Sequence, residues 1–528
     1  MVNKPLQIVW SFVGLPPDHI ECIELSNNPD PSIDSAFKIG TAAQTSVGLS
    51  ALAAAYFHHL RLPKEITESE DYYPQRVKVD SQKAVLEFSG ERYYTINGKL
   101  PPTWIDDPIS DLYPTRNGRY VRLGCNFPHH KRGMLEMLGV PDNKEAVAAA
   151  MLEVDAHAFV EKAQASSLCA AVLNDFDAVD MSAHGQSAAT FSPVRLTRIE
   201  GVPEAPPRSE QIGLDTRPLA GIRMLDMTRL LSAPLAGRTM AMHGADVLYV
   251  TSPHLTAVPE YDQFTTMGKR TTQLDLDDSE QCKTLFDLVK DADVFVQSYR
   301  PGSFPARGLG PQDVAKMRPG IIYAAMGTFS HTSSWWFRKG FARDIEILSG
   351  HVCEEARVYK EWLELQGEDT SEVPEWRNTP VCAVAHLTGL FLTFGIIAAL
   401  CKTITEGGSW EVHVSLESVA LWMRNLGMLT ADEVYDEEDR DMPQLPPRER
   451  DPARGPSKFG LDLDDRVAAV SQKEWEFLSC VSHAAELELT PAIMGKAPVT
   501  YNAHKPRWLP RETDDIARVI DSMSNTRI

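Results

Sequence analysis

Five cations, Arg229, Arg238, Lys269, Arg270 and Arg300, fall at or just after the ends of short apolar runs between Pro218 and Ser330. Small residues accompany them in SAPLAG, HGAD and MGK. That combination suits phosphate. Cationic side chains and backbone N–H donors converge at a strand end, and small side chains let the anion come close. Spacing alone gives Arg238 and Arg270 a second reading, as helix-surface or ion-pair residues. His129 and His130 form a polar pair with no Cys or carboxylate at a metal-ligand spacing, so no metal is expected. Phe329, Trp335 and Trp336 suit either an apolar pocket wall or ordinary core packing. No Gly-x-Gly-x-x-Gly follows a strand, so NAD is not expected.

The elements that must position these cations are legible between 218 and 335. IRMLDMT, DVLYVTSP, DVFVQSY and GIIYAAMGTF read as buried strands. SAPLAGRTMAMHGA reads as a closely packed helix, and Ser279 is the expected cap of another beginning near Glu280. Strands and helices alternating at this spacing predict an α/β fold with a Rossmann-like, doubly wound parallel sheet. Residues 1–200 read as a smaller α+β domain with a packed helix over about 41–60 and a hairpin turning at Asn117-Gly118. A linker rich in Pro and Glu covers 201–217, a long helix and a second small-domain half fill 336–430, and 431–528 is expected to pack back on the core. Past Ser330 the chain reads as irregular, with TSSWWFRKG and EWLELQGEDTSEVPEW as surface loops around short helices. TSVGLSALAAAYFHHL before QRVKVDSQKAVLEF echoes LTGLFLTFGIIAALCK before WEVHVSLESVALWM. Each is a small-residue helix, a loop, then a strand that enters a helix.

At 528 residues the chain is too long for one ordinary core. Its net charge of -21 argues against nucleic acid or an anionic membrane as partner. The N-terminus lacks the pattern of a signal peptide, and the closing Thr-Arg-Ile is not a peroxisomal address. No run reaches ~18 apolar residues, so no membrane span is expected. The eight Cys include no CxxC pair, which fits reduced thiols and a cytoplasmic location.

The ordered segments PLAGIRMLDMTRLLSAPLAGRTMAMHGADVLYV, MGKRTTQLDLDD, ADVFVQSYRPGSFPARGLG, GFARDIEILSG and HLTGLFLTFGIIAAL...WEVHVSLESVAL resemble the family III CoA-transferases, which include the α-methylacyl-CoA racemases. The resemblance runs from Pro218 to about Met423. It implies that the fold binds coenzyme A, that the partners are an acyl-CoA and a carboxylic acid, and that Arg238, Lys269 and Arg300 contact the CoA. The family's interlocked subunits imply a homodimer. Here YPTRNGRYVRLGCNFPHHKRGMLEMLG resembles a family segment usually found near the C-terminus. The first ~200 residues therefore look like an extra copy of the small-domain half, which either replaces or adds to a dimer interface.

The resemblance also exposes two gaps. The transferases' nucleophilic carboxylate opens the pattern Asp-x-x-Thr-Gly, and this chain has Ala385-His386-Leu387-Thr388-Gly389. A methyl group cannot form a mixed anhydride. The N-terminal echo offers Gln44 at that place. The racemases' His-Asp pair is replaced by Phe341-Ala342. The candidate substitutes are His386, as a base beside the vacant position, and Asp344, with Glu346 near it. Three readings stand: a CoA-transferase, a degenerate relative that keeps the ligand, and acid-base chemistry such as racemisation on the same fold.

Overall fold

Seven strands build the central sheet of the computed structural model, which describes residues 4–96, 106–188, 192–208, 216–435, 467–472, 475–494 and 500–511. In chain order they are β1 (Arg195–Arg198), β2 (Arg223–Met227), β3 (Asp246–Thr251), β4 (Arg270–Gln273), β5 (Val294–Gln297), β6 (Ile322–Gly327) and β7 (Trp410–Ser415). They lie in the order β4-β3-β2-β5-β6-β7-β1. β2 to β7 are parallel, and β1 joins β7 as an antiparallel edge. This is a mixed α/β fold with a large parallel sheet, as the alternating pattern predicts.

The strands are apolar on both faces because both faces are covered. Met224, Val247, Val294, Ile322 and Ala324 enter one core. Their neighbours Leu225, Leu248, Phe295, Tyr323 and Ala325 enter the other, beneath the helices Ser279–Lys290 and Pro311–Met317. The sheet order reverses between β2 and β5, so their C-terminal ends diverge into a crevice. Such crevices are where ligands bind in open parallel sheets.

Three helices dominate the first core: α1 (Ile39–Arg61), α2 (Ser232–Met242) and α3 (Ala383–Thr405). α1 matches the helix expected over about 41–60. α1 and α3 are each 23 residues long, are buried almost all round, and pack on one another. α3 is long and apolar enough to cross a membrane, which the apolar-run estimate missed, but its apolar stretch is wholly buried inside the protein. α2 crosses α3 at Gly389, where a Cβ would sit 2.4 Å from the Ser232 carbonyl oxygen.

The two echoing stretches occupy related settings. α1 leads to the strand Val77–Val79 and then to the helix Ser81–Glu87, capped by Asp80. α3 leads to β7 and then to the helix Leu416–Asn425, capped by Ser415. The strand Ala485–Leu487, from beyond α3, pairs antiparallel with Val77–Val79. β1, from beyond α1, pairs antiparallel with β7. Each half thus lends a strand to the other.

Other expectations meet the structure differently. Asp278, not Ser279, caps the helix Ser279–Lys290, because its carboxylate accepts from the N–H groups of both Glu280 and Gln281. The stretch read as loops contains the 15-residue helix His351–Leu365, whose buried stripe includes Val352, Ala356 and Val358. The Asn117-Gly118 hairpin forms between Leu112–Pro114 and Tyr120–Leu123, with Gly118 at φ +72°. The C-terminal stretch 500–511 covers the open edge of β4: Thr271 N–H donates to His504 Nδ1, and His504 N–H donates back to the Thr271 carbonyl.

Candidate active site

The crevice between β2 and β5 collects cations. β2 is followed by Thr228, Arg229 and Leu230, the last at φ +69°, and the Arg229 N–H donates to Ser298 Oγ just beyond β5 at 3.2 Å. This turn sets Arg229 beside Arg300. The helix Pro128–Leu138 brings His129, His130 and Arg132 to the same place, and Lys339 approaches from the loop before Phe341. The Arg229 guanidinium lies 5.9 Å from the Phe127 ring centre. Burial, His129 and then Arg300 push His130 down to about 4, so it is neutral near pH 7. Lys339 is lowered by burial and by Arg300. None of Arg132, Arg229, Arg300 or Lys339 forms an ion pair with a described carboxylate. In a chain of net charge -21 that is a local field of one sign, tempered only at Arg229 by the more distant Asp262 among the described residues, and it suits an anionic ligand.

The other predicted CoA contacts sit elsewhere. Lys269 is fully buried, 2.7 Å from Asp226 Oδ2 and donating to the Pro234 carbonyl. Burial pulls its pKa down, and Asp226 opposes that. Arg270 clasps both oxygens of Asp246 and donates to the Arg507 carbonyl. Arg238 is buried over the Phe264 ring, 4.3 Å from its centre, with Glu87 3.8 Å away. These three therefore fasten α2, β3 and β4 in place, because strand-end cations that turn inward meet buried carboxylates first. Arg229 and Arg300 are the two of the five that reach the crevice.

Ala385 lies on the first turn of α3 in an apolar nest with Tyr94, Leu231, Leu235, Phe264 and Ala342. Thr388 and Gly389 keep the motif's frame, since Thr388 Oγ1 donates to the Val384 carbonyl and Gly389 admits α2. Phe341 packs on Phe127 and His130, while its neighbour Ala342 joins the Ala385 nest. The pair that replaces His-Asp thus forms the wall between the cation group and Ala385. Gln44 is buried in α1, its Nε2 donating to the Ser26 carbonyl.

Asp344 is committed. One oxygen accepts from Arg122 Nε at 3.0 Å and the other from the Phe341 N–H at 2.8 Å. It serves as an ion-pair and helix-start residue. Glu346 pairs with Arg343. His386 is different. Its ring stacks on Phe88, its Nδ1–H donates to the Cys382 carbonyl, and its Nε2 lies 3.1 Å from Glu91 Oε2. Glu91 and His386 are each 2% exposed. Glu91 was not a sequence candidate. It sits 295 positions before His386 in a plain Ser-Gly-Glu-Arg stretch, and only the packing of the short helix Gly90–Arg92 against α3 brings the two together. Beside them a second buried group forms around Glu87. Burial opposes its ionisation, but His483 and Arg238 outweigh that and hold it at about 2.

A cavity of about 520 Å³ opens at the β1–β7 edge, against Arg195, His331, Trp336 and His413. It touches neither the cation group nor the Ala385 turn. Phe329 and Trp336 line it, whereas Trp335 stacks on His184.

Residues 219–470 match CoA-transferase family III. Over 216 residues the chain is 32% identical to the acetyl-coenzyme A transferase nodX of Hypoxylon pulicicidum, covering 40% of this chain and 34% of that protein. It is 33% identical over 216 residues to an acyl-CoA transferase of Gibberella moniliformis, covering 40% and 36%. It is 24% identical over 220 residues to a formyl-CoA:oxalate CoA-transferase of Escherichia coli, covering 39% and 49%. The chain thus spans between a third and a half of the length of these relatives. Among solved structures, a hypothetical protein from Mycobacterium tuberculosis is 26% identical, covering 40% of this chain and 57% of that one at a TM-score of 0.32. A CAIB/BAIF family protein from Brucella suis is 23% identical, covering 40% and 55% at a TM-score of 0.34.

Proposed function

Because residues 219–470 match CoA-transferase family III, we propose that this chain binds a CoA thioester in the crevice between β2 and β5 and exchanges the CoA with a carboxylic acid. The observation that carries the reading is the cation group at that crevice, none of whose members forms an ion pair with a described carboxylate. Arg229, Arg300, Arg132 and Lys339 hold the phosphates of CoA, and Phe127 and Phe341 line the way toward the Ala385 turn. Relatives named for acetyl-CoA and formyl-CoA:oxalate transfer make a short acyl group and a small acid the first substrates to try.

Calorimetry with CoA and acetyl-CoA tests the binding half. Arg300→Ala and Arg229→Ala are each expected to weaken binding about tenfold or more, the worth of one charge-assisted hydrogen bond. No binding at millimolar ligand by the unaltered chain would sink the reading. Ala385 in its apolar nest favours a second reading, a relative that holds the thioester without transferring it. CoA binding without exchange across many acids would select it.

A further inference from the structure

We infer that Glu91, paired with His386, is the carboxylate that serves the site in place of the one missing at Ala385. This rests on the CoA-transfer reading above. Cys382, Ala385 and His386 share one face of the first turn of α3, at i, i+3 and i+4. Glu91 covers that face from the short helix Gly90–Arg92, and Tyr94, three residues on, packs in the Ala385 nest. The lost carboxylate is thus matched by another, delivered by the N-terminal part of the chain.

Three features set Glu91 apart from a structural carboxylate. It is buried, yet its Oε2 has no aligned hydrogen bond. Its nearest cation besides His386 is Arg92, whose Nε is 4.0 Å away. A carboxylate buried with so little compensation costs stability, and folds retain such groups where they act. The protons also count. A carbonyl only accepts, so His386 Nδ1 carries a hydrogen toward Cys382. Nε2 and Glu91 Oε2 thus stand 3.1 Å apart inside the protein, two polar atoms facing each other with no aligned hydrogen bond. Arg92, Tyr93 and Cys382, next to the pair in the chain or on the same turn, are partly exposed.

The chemistry balances with those two groups. A Glu91 oxygen attacks the thioester carbonyl, the C–S bond breaks, and its electron pair leaves on the CoA sulfur, which His386 Nε2–H stabilises. The thiolate then attacks the glutamyl carbonyl of the resulting anhydride, releasing the donor acid and leaving a glutamyl thioester. The acceptor carboxylate repeats these two steps in reverse and leaves as the new acyl-CoA. Glu91 returns as a carboxylate, with one oxygen taken from the acceptor.

That exchanged oxygen is the test. The unaltered protein is incubated with acetyl-CoA and ¹⁸O-labelled formate, oxalate or succinate, then digested, and the peptide containing Glu91 is weighed. The expected result is new acyl-CoA together with heavy oxygen in that peptide. Glu91→Gln is expected to lower exchange about a thousandfold while CoA affinity by calorimetry stays within a factor of about two. Exchange without label in the Glu91 peptide, or full exchange by Glu91→Gln, overturns the role of Glu91 and leaves the transferase reading standing. CoA binding with no exchange in the unaltered protein overturns both. The labelling arm needs no variant, so a folding defect in Glu91→Gln does not blunt the test.

Discussion

At the scale of single residues, cations of the same family motifs divide by which way they face. Lys269 is enclosed with Asp226 and the Pro234 carbonyl, so removing it strands a buried carboxylate. Lys269→Ala is expected to lower folding stability by about 3–5 kcal/mol, read by denaturant unfolding. Arg300 is exposed and unpaired. Arg300→Ala is expected to leave stability within about 0.5 kcal/mol while CoA affinity falls. An unchanged melting curve for Lys269→Ala would show that the buried pair contributes nothing. The sequence supplies both cations at strand ends. It cannot say which one turns inward, because that depends on an aspartate two strands away in the sheet.

Among elements, the crossing of α2 over α3 decides where the Ala385 turn lies. Gly389 brings the α3 backbone against the Ser232 carbonyl, so closely that an added Cβ would clash with its oxygen at 2.4 Å. Gly389→Ala must push the helices apart and is expected to cost about 1–3 kcal/mol, measured by denaturant unfolding. It should also shift the Glu91–His386 contact, since α3 carries His386. The helices and strands themselves are legible in sequence because their apolar periodicity is local. The helix His351–Leu365 is the exception: its stripe is narrow and interrupted by charged residues that obscure the period.

At the scale of the whole molecule, burial has trapped many histidines in neutral form. His243 and His351 are pushed down to about 3, and His19, His130 and His331 to about 4, with burial the largest cause each time. The unfolded chain binds these protons near pH 6.5, whereas the fold refuses them until about 4 or lower. Their contribution to stability is therefore complete above pH 6.5 and is lost as pH falls through that window. Glu355, raised to about 7 by burial, has the opposite sign: the fold keeps a proton that the unfolded chain releases, so stability falls as pH rises through its window. Glu346 and Asp262 are raised as well. Five strongly shifted histidines outweigh them, so the denaturation midpoint is expected to drop steadily from pH 6.5 to about 4. A flat profile there would contradict it. The same interior shows where sequence ends and tertiary structure begins. The sequence by itself determined the α/β class, four of the six parallel strands, the cations at strand ends and the absence of a carboxylate at position 385, because each is a matter of local pattern or of residue identity. Only the tertiary structure decided that Arg229 and Arg300 face the crevice, that Asp344 is committed to Arg122, and that Glu91 meets His386 across 295 positions. Contacts between distant segments are fixed by packing, and packing leaves no periodic mark in the chain.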